Sequence, residues 1–287
     1  MFFTKTKIKW VIIFSLVLAN IFVYFYFSSS NSRDYLTLAV LDIGQGDAIL
    51  IEDKAGHQIL IDGGPDQKIL AELPKFMSVS DRSLDLLILS HPHADHLVGL
   101  VEILKRYEVA GVLEAGAVYD SAIYREWHRL LQEKNIPIIL ARRGEKIRLA
   151  DAELDILAPF ENWSGRSAKE IHDSMVVAQL LVASSSVAIL TGDMEQDLEQ
   201  RLLASEGNLQ AKILKIGHHG SKTSSSENFV KKVAPEYAVI SVAKKNRYGH
   251  PYPATLELLK KLGLEVLQTS EEGSIVFRTC SSGVCRL

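Results

Sequence analysis

Two cysteines, Cys280 and Cys285, are all that this 287-residue chain contains, so no disulfide-dense scaffold holds it together. Prolines are few, 8 against 18 glycines, and beyond residue 34 no charge run, repeat or low-complexity stretch divides the sequence. An excess of either charge sign is also lacking, with 32 Lys and Arg against 35 Asp and Glu. A net charge of −3 excludes a protein that coats nucleic acid by bulk charge, and a DNA substrate would need a local basic patch. Long hydrophobic runs are limited to one, residues 10–27, which excludes a multi-span channel. What is there is 47% hydrophobic, enough for a substantial core.

The single apolar run is interrupted only by Ser15 and Asn20. At about 1.5 Å per residue it spans roughly 27 Å, close to the hydrocarbon thickness of a bilayer. Trp10 at one end and Tyr24 and Tyr26 at the other suit the two interfaces. A cleavable signal peptide is the alternative. The run is long for one, however, and Tyr24-Phe25-Tyr26-Phe27 offers no small-residue cleavage site. Residues 1–30 are therefore expected to be a membrane anchor with a short cytoplasmic tail, and residues 31–287 one folded domain. Lys5, Lys7 and Lys9 precede the run, so the positive-inside bias makes this a single-pass protein of the cell membrane with its domain extracytoplasmic. In an oxidising compartment Cys280 and Cys285, on either side of a short turn, are expected to pair; two unpaired thiols are the alternative.

Short apolar segments at 36–43, 48–52 and 57–61 read as strands, the last two joined through the turn 53–56. A buried strand at 86–89 precedes a helix whose stripe is Leu97, Leu100, Val101 and Leu104, and 122–131 reads as another helix. The second half repeats the logic, with strands at 176–182, 187–190, 211–216 and 238–242. Helices are expected at 194–203, 226–233 and 254–262, followed by two closing strands. Two face-to-face sheets with helices outside fit this order.

The chemistry concentrates in His91-Pro92-His93-Ala94-Asp95-His96, between the strand at 86–89 and its helix. Imidazoles two residues apart, followed by a carboxylate–imidazole pair, offer four ligands to a borderline or hard divalent ion. Five further motifs accompany it in order: Leu41-Asp42-Ile43-Gly44-Gln45-Gly46-Asp47-Ala48, Ile61-Asp62-Gly63-Gly64, Leu190-Thr191-Gly192-Asp193, Ile216-Gly217-His218-His219-Gly220-Ser221 and Tyr248-Gly249-His250-Pro251.

The His-x-His-x-Asp-His motif resembles the signature of the metallo-β-lactamase superfamily, and its companions resemble the ComEC-type competence hydrolase group. The likeness runs from about residue 37 to the C-terminus. It implies an α/β (α+β) fold, a four-layer αββα sandwich, here preceded by one transmembrane helix. It also implies a dinuclear centre holding two divalent metal ions, Zn or Mn. His91 and His93 would bind the first ion, with a third ligand near residue 172. His172 is the choice there, and Asp173 the alternative. Asp95, His96 and His219 would bind the second, with Asp193 bridging both. Asp62 would orient a ligand histidine, and Gln45 and Asp47 would face the metals from behind the ligands.

His218 and His219, leaving an extended strand end, are not expected to point the same way. His219 is assigned to metal, and His218 to the substrate oxyanion or leaving group. His250 and Asp95 complete the catalytic candidates. Ser221, Lys222 and Lys245 are candidates for holding a phosphate backbone, or else a solvated rim; His57 and His128 match no motif and read as surface residues. The implied activity is a metal-dependent phosphodiesterase or nuclease acting outside the membrane on a phosphodiester, with DNA as the candidate substrate. Hydrolysis of a cell-wall phosphoester, of phosphorylcholine type, is the second enzymatic reading. A non-catalytic DNA-capture partner of a separate channel is the third.

Overall fold

The first three strands, β1 (Thr37–Val40), β2 (Ile49–Glu52) and β3 (Gln58–Ile61), are buried at every residue, so both of their faces are covered. The computed structural model describes residues 9–10, 13–20, 34–78, 80–167, 171–205, 207–281 and 283–287. Of the expected anchor, 9–10 and 13–20 are helical and exposed, and the rest of 1–33 lies outside the described residues. Among the described residues no helix is long and apolar enough to cross a membrane.

Further along follow β4 (Ser83–Leu84), β5 (Leu86–Ile88), β6 (Glu108–Val109), β7 (Val112–Glu114) and β8 (Ile138–Leu140). The second half adds β9 (Lys146–Arg148), β10 (Ala152–Ala158), β11 (Val177–Val182), β12 (Ser185–Leu190), β13 (Ile213–Lys215), β14 (Tyr237–Ile240) and β15 (Glu265–Gln268). The chain closes with β16 (Ile275–Cys280) and β17 (Gly283–Arg286). One sheet has the order β17-β16-β1-β2-β3-β5-β7-β8, and the other β15-β14-β13-β12-β11-β10-β9. Each is antiparallel on one side and parallel on the other: β3, β5, β7 and β8 run parallel, as do β12 to β15.

Leu38, Ile51, Leu154, Leu180 and Val239 belong to one core that lies between the two sheets. A second core packs the outer face of the first sheet against α1 (Ala94–Arg106) and α2 (Ala122–Glu133). A third packs the other sheet against α3 (Gln196–Ala204), α4 (Glu227–Val233) and α5 (Pro253–Lys261). The expected αββα sandwich is therefore the one observed. Helix starts follow local chemistry. Ser121 and Ser226 accept hydrogen bonds from Tyr124 N and Phe229 N, and Pro253 occupies the first turn of α5.

Three sequence expectations need correction. The strand expected at 36–43 ends at Val40, because residues 41–47 turn away to form the loop that faces the site. The region 134–158, left without elements, holds β8, β9 and β10. The link expected at 183–186 is shorter: Ala183 and Ser184 both have positive φ, and Ser185 already belongs to β12. Cys280 and Cys285 are disulfide-bonded across the β16–β17 hairpin, their Cα atoms 6.0 Å apart.

Candidate metal centre

Functional side chains gather where parallel strands end. Asp62 follows β3, His91 and His93 follow β5, Asp193 follows β12, and His219 follows β13. At strand ends the ladder no longer claims the backbone, so loops from both sheets can converge. Two glycines permit that convergence. A Cβ on Gly46, whose φ is +131°, would lie 2.0 Å from Asp95 O, and one on Gly99 would lie 1.8 Å from Gly63 O.

Two ligand sets result. His91, His93, His172 and Asp193 have ligand atoms within 4.8 Å of one another, and so do Asp95, His96, Asp193 and His219. Asp193 belongs to both. Its Oδ2 lies 3.3 Å from His96 Nε2 and 3.8 Å from His91 Nε2, while its Oδ1 lies 3.5 Å from His219 Nε2. His172, in the turn Ile171–Ser174, fills the position that sequence left open, and Asp173 belongs to neither set.

The donors fit divalent ions. His91 Nε2, His96 Nε2, His172 Nε2, His219 Nε2 and Asp193 Oδ1 are buried and have no hydrogen-bond partner among the described residues. Buried polar atoms are seldom left so, and here they face one another across the two sets. Backing groups set the other ring nitrogens. His96 Nδ1 lies 2.8 Å from Asp62 Oδ2, and His219 Nδ1 donates to Ser241 O at 2.9 Å. Asp62 also accepts from Ser90 N and from Ser90 Oγ, which itself lies 3.1 Å from His91 Nδ1.

Electrostatics follow this arrangement. Burial opposes ionisation of Asp193, but His219 and His96 outweigh it and hold the carboxyl well below its usual range. Burial likewise works against Asp95, yet the His219 imidazole 3.6 Å away and the nearby His96 bring it down to about 2. His93 is lowered to about 4 by burial and by His172, so it is neutral near pH 7 and free to act as a ligand. His91 is held well below the ordinary value, first by burial and then by His96. On His96 burial is outweighed by the carboxylates of Asp193 and Asp62, which raise its pKa well above the ordinary value.

The paired histidines differ from expectation. His218 and His219 do not leave an extended strand: both have left-handed φ, 47° and 54°. This turn lets both rings address the same carboxylate, with His218 Nε2 3.8 Å and His219 Nε2 3.5 Å from Asp193. His219 is buried and His218 half-buried. Sequence reasoning missed Glu195, whose Oε1 lies 3.1 Å from His218 Nδ1 and whose Oε2 lies 3.6 Å from His172 Nδ1. Its signal was a second acid two residues beyond Asp193. Lys215 was also missed, although a lysine inside the apolar run 213–216 marks an internal charge. It pairs with Asp47 at 2.9 Å.

The remaining candidates divide. His250 lies beside the site, its ring 5.6 Å from that of His218, and Gln45 Oε1 accepts from Ala243 N to join the two halves. Ser221 is buried, and its hydroxyl is engaged by Thr223, so it braces the turn rather than facing a substrate. Lys222 and Lys245 are exposed. His57 is exposed but tied to Asp53, and His128 lies 3.3 Å from the buried Glu114.

Comparison with known proteins agrees with these motifs. The chain is 29% identical to ComE operon protein 3 of Bacillus subtilis over 91% of its length and 35% of that protein's. It is 29% identical to competence protein ComA of Neisseria gonorrhoeae, over 86% of this chain and 33% of that one. With recombination protein 2 of Haemophilus influenzae it shares 30% identity over 82% of its own length and 28% of that protein's. The chain thus spans about a third of the length of these curated relatives. Among solved structures, the metallo-beta-lactamase fold protein YhfI of Bacillus subtilis superposes with a TM-score of 0.57 at 13% identity, covering 86% of this chain and 100% of that one. A metallo hydrolase from Ignicoccus hospitalis gives 0.54 at 16%, covering 85% and 98%. These two show the fold alone. The family model for the metallo-beta-lactamase superfamily matches residues 41–244, more than half of the chain and all of the two ligand sets just described, and the chain belongs to that superfamily of metal-dependent hydrolases.

Proposed function

We propose that this chain is a dinuclear-metal phosphodiesterase whose substrate is a nucleic acid strand, tethered by residues 1–30 and working on the outer side of the membrane. One observation carries the reading: Asp193 is shared by two complete ligand sets. His91, His93 and His172 would hold one ion, Asp95, His96 and His219 the other, with Asp193 between them. Two such ions, Zn or Mn, supply Lewis acidity and an activated water suited to in-line displacement at phosphorus. Residues outside the ligand sets handle the proton. His218 gives Nδ1 to Glu195 and turns Nε2 inward, where it can protonate the departing oxygen. His250, lowered by burial and by His218 and His219, stays neutral at pH 7 and can accept a hydrogen bond from substrate.

The names of the relatives, a competence protein and a recombination protein, support a DNA substrate. The tether rests on the lysine-flanked apolar run. The test is a substrate panel with Mn²⁺ or Zn²⁺: bis(p-nitrophenyl) phosphate, DNA and a p-nitrophenyl phosphorylcholine ester. Cleavage of the first two supports the reading. Activity on the choline ester alone would move it to a cell-wall phosphoesterase, and inertness on all three would overturn it.

A further inference from the structure

Beside Asp95, the two halves of the sandwich leave a cleft of about 330 Å³. Gln45, Pro65 and Asp95 line it from the first half, and Lys245, Arg247 and Tyr248 from the second. The Tyr248 side chain is 51% exposed, unusual for a large ring so close to a buried centre. Its ring stacks on His250 at 23° and 5.7 Å between centroids, and the Arg247 guanidinium lies 4.9 Å from its centroid while donating to its hydroxyl. The plate is held in place. Asn246 Oδ1 accepts from Tyr248 N and His250 N, and Asn246 Nδ2 donates to Ala243 O and His250 O.

Charge marks the same loop. Lys244, Lys245 and Arg247 are exposed, and among the described residues none of them pairs with a carboxylate at ion-pair distance. On a chain whose net charge is −3, three cations without an ion-pair partner around an exposed ring, with Asp95 the one carboxylate lining the cleft, form a local exception. A rigid π surface flanked by cations is what a single strand uses, because an unpaired base can stack while its phosphates meet the charges. A paired base inside a duplex has no free face to offer.

We propose that the loop carrying Lys244, Lys245, Arg247 and Tyr248 is a stacking subsite for an unpaired nucleobase, so that the metal centre receives its phosphodiester from a single-stranded nucleic acid. The inference rests on the phosphodiesterase reading for its purpose, but not for its test. Binding is measured by fluorescence anisotropy on the full chain in EDTA, which silences hydrolysis. The probes are an oligothymidylate of about twelve nucleotides, an abasic strand of equal length, and a duplex. Tyr248→Ala should weaken oligothymidylate binding about tenfold and leave the abasic strand unchanged, as loss of one stacked base requires. Tyr248→Phe should bind like the wild type, and Arg247→Ala should weaken both single strands. Equal affinity of the wild type for abasic and base-bearing strands overturns the subsite, as does indifference to Tyr248→Ala. A wild type that shows this base dependence but cleaves nothing overturns the phosphodiesterase reading and leaves the subsite standing.

Discussion

Lys215 Nζ lies 2.9 Å from Asp47 Oδ2, with the two side chains only 0% and 1% exposed, so one wholly buried ion pair joins the second sheet to the loop of the first. Lys215 also donates to Ile216 O, and Asp47 Oδ1 lies 3.6 Å from His219 Nδ1. The pair therefore sits behind His219, a ligand of the second set. Lys215→Met strands a buried carboxylate and should cost about 3–5 kcal/mol. The double variant Lys215→Met, Asp47→Leu should recover much of that loss. Urea denaturation of all three proteins checks it, and a double variant no better than the single would contradict the pairing.

Asp62 acts through others: it backs His96 and anchors Ser90 beside His91. Asp62→Asn should lower metal affinity about 10- to 100-fold. Competition with a chromophoric chelator reads this directly. Unchanged affinity would mean that the ligand rings hold their places without it.

His218→Ala should depend on the leaving group. On an alkyl phosphodiester, whose alkoxide needs a proton, kcat should fall about 10²- to 10⁴-fold. On bis(p-nitrophenyl) phosphate, whose phenolate leaves unaided, the loss should be much smaller. Glu195→Gln should follow the same pattern more weakly, because Glu195 reaches the leaving group through His218. Equal losses on both substrates would remove His218 from proton transfer.

His57 and Asp53 give a pH test away from the metals. Burial opposes the Asp53 charge, but the bonds from His57 and Ala150 N outweigh it, so its pKa is lowered. Its contribution is present above the unfolded carboxylate range and is lost as pH falls through the lowered value. The His57 pKa is raised from 6.5, chiefly by the bond with Asp53. Its contribution is complete below 6.5 and is lost as pH rises through the raised value. His57→Ala should thus cost more at about pH 5.5 than at about pH 9. Solvent around the half-exposed ring keeps the difference to about 1 kcal/mol or less. Denaturant midpoints at the two pH values decide it.

Much of the centre was legible because metal ligands are chemically rare and cluster along the chain, as in His91 to His96. Asp193 and His219 could be read because the motifs around them, Leu190-Thr191-Gly192-Asp193 and Ile216-Gly217-His218-His219-Gly220-Ser221, resemble those of the ComEC-type group. Other partners were hidden for physical reasons. Ser241 contributes a carbonyl, which any residue has, and Ser90 and Glu195 match common residues of polar turns. The orientation of His218 and His219 depended on two left-handed residues, a backbone choice that non-glycine side chains rarely signal. In the fold, β8 was missed because Ile138 and Ile139 are exposed on an edge strand, where burial leaves no alternation to read. The strands β1 to β3 were legible for the opposite reason.

The proposed centre cleaves phosphodiesters only with two ions bound. Its most direct test is the initial rate of bis(p-nitrophenyl) phosphate hydrolysis as metal-free protein is titrated with Mn²⁺ or Zn²⁺. The expected rate rises until two equivalents are bound and then levels off, while Asp193→Ala stays at background throughout. A rate that saturates at one equivalent, or that survives in Asp193→Ala, would contradict it.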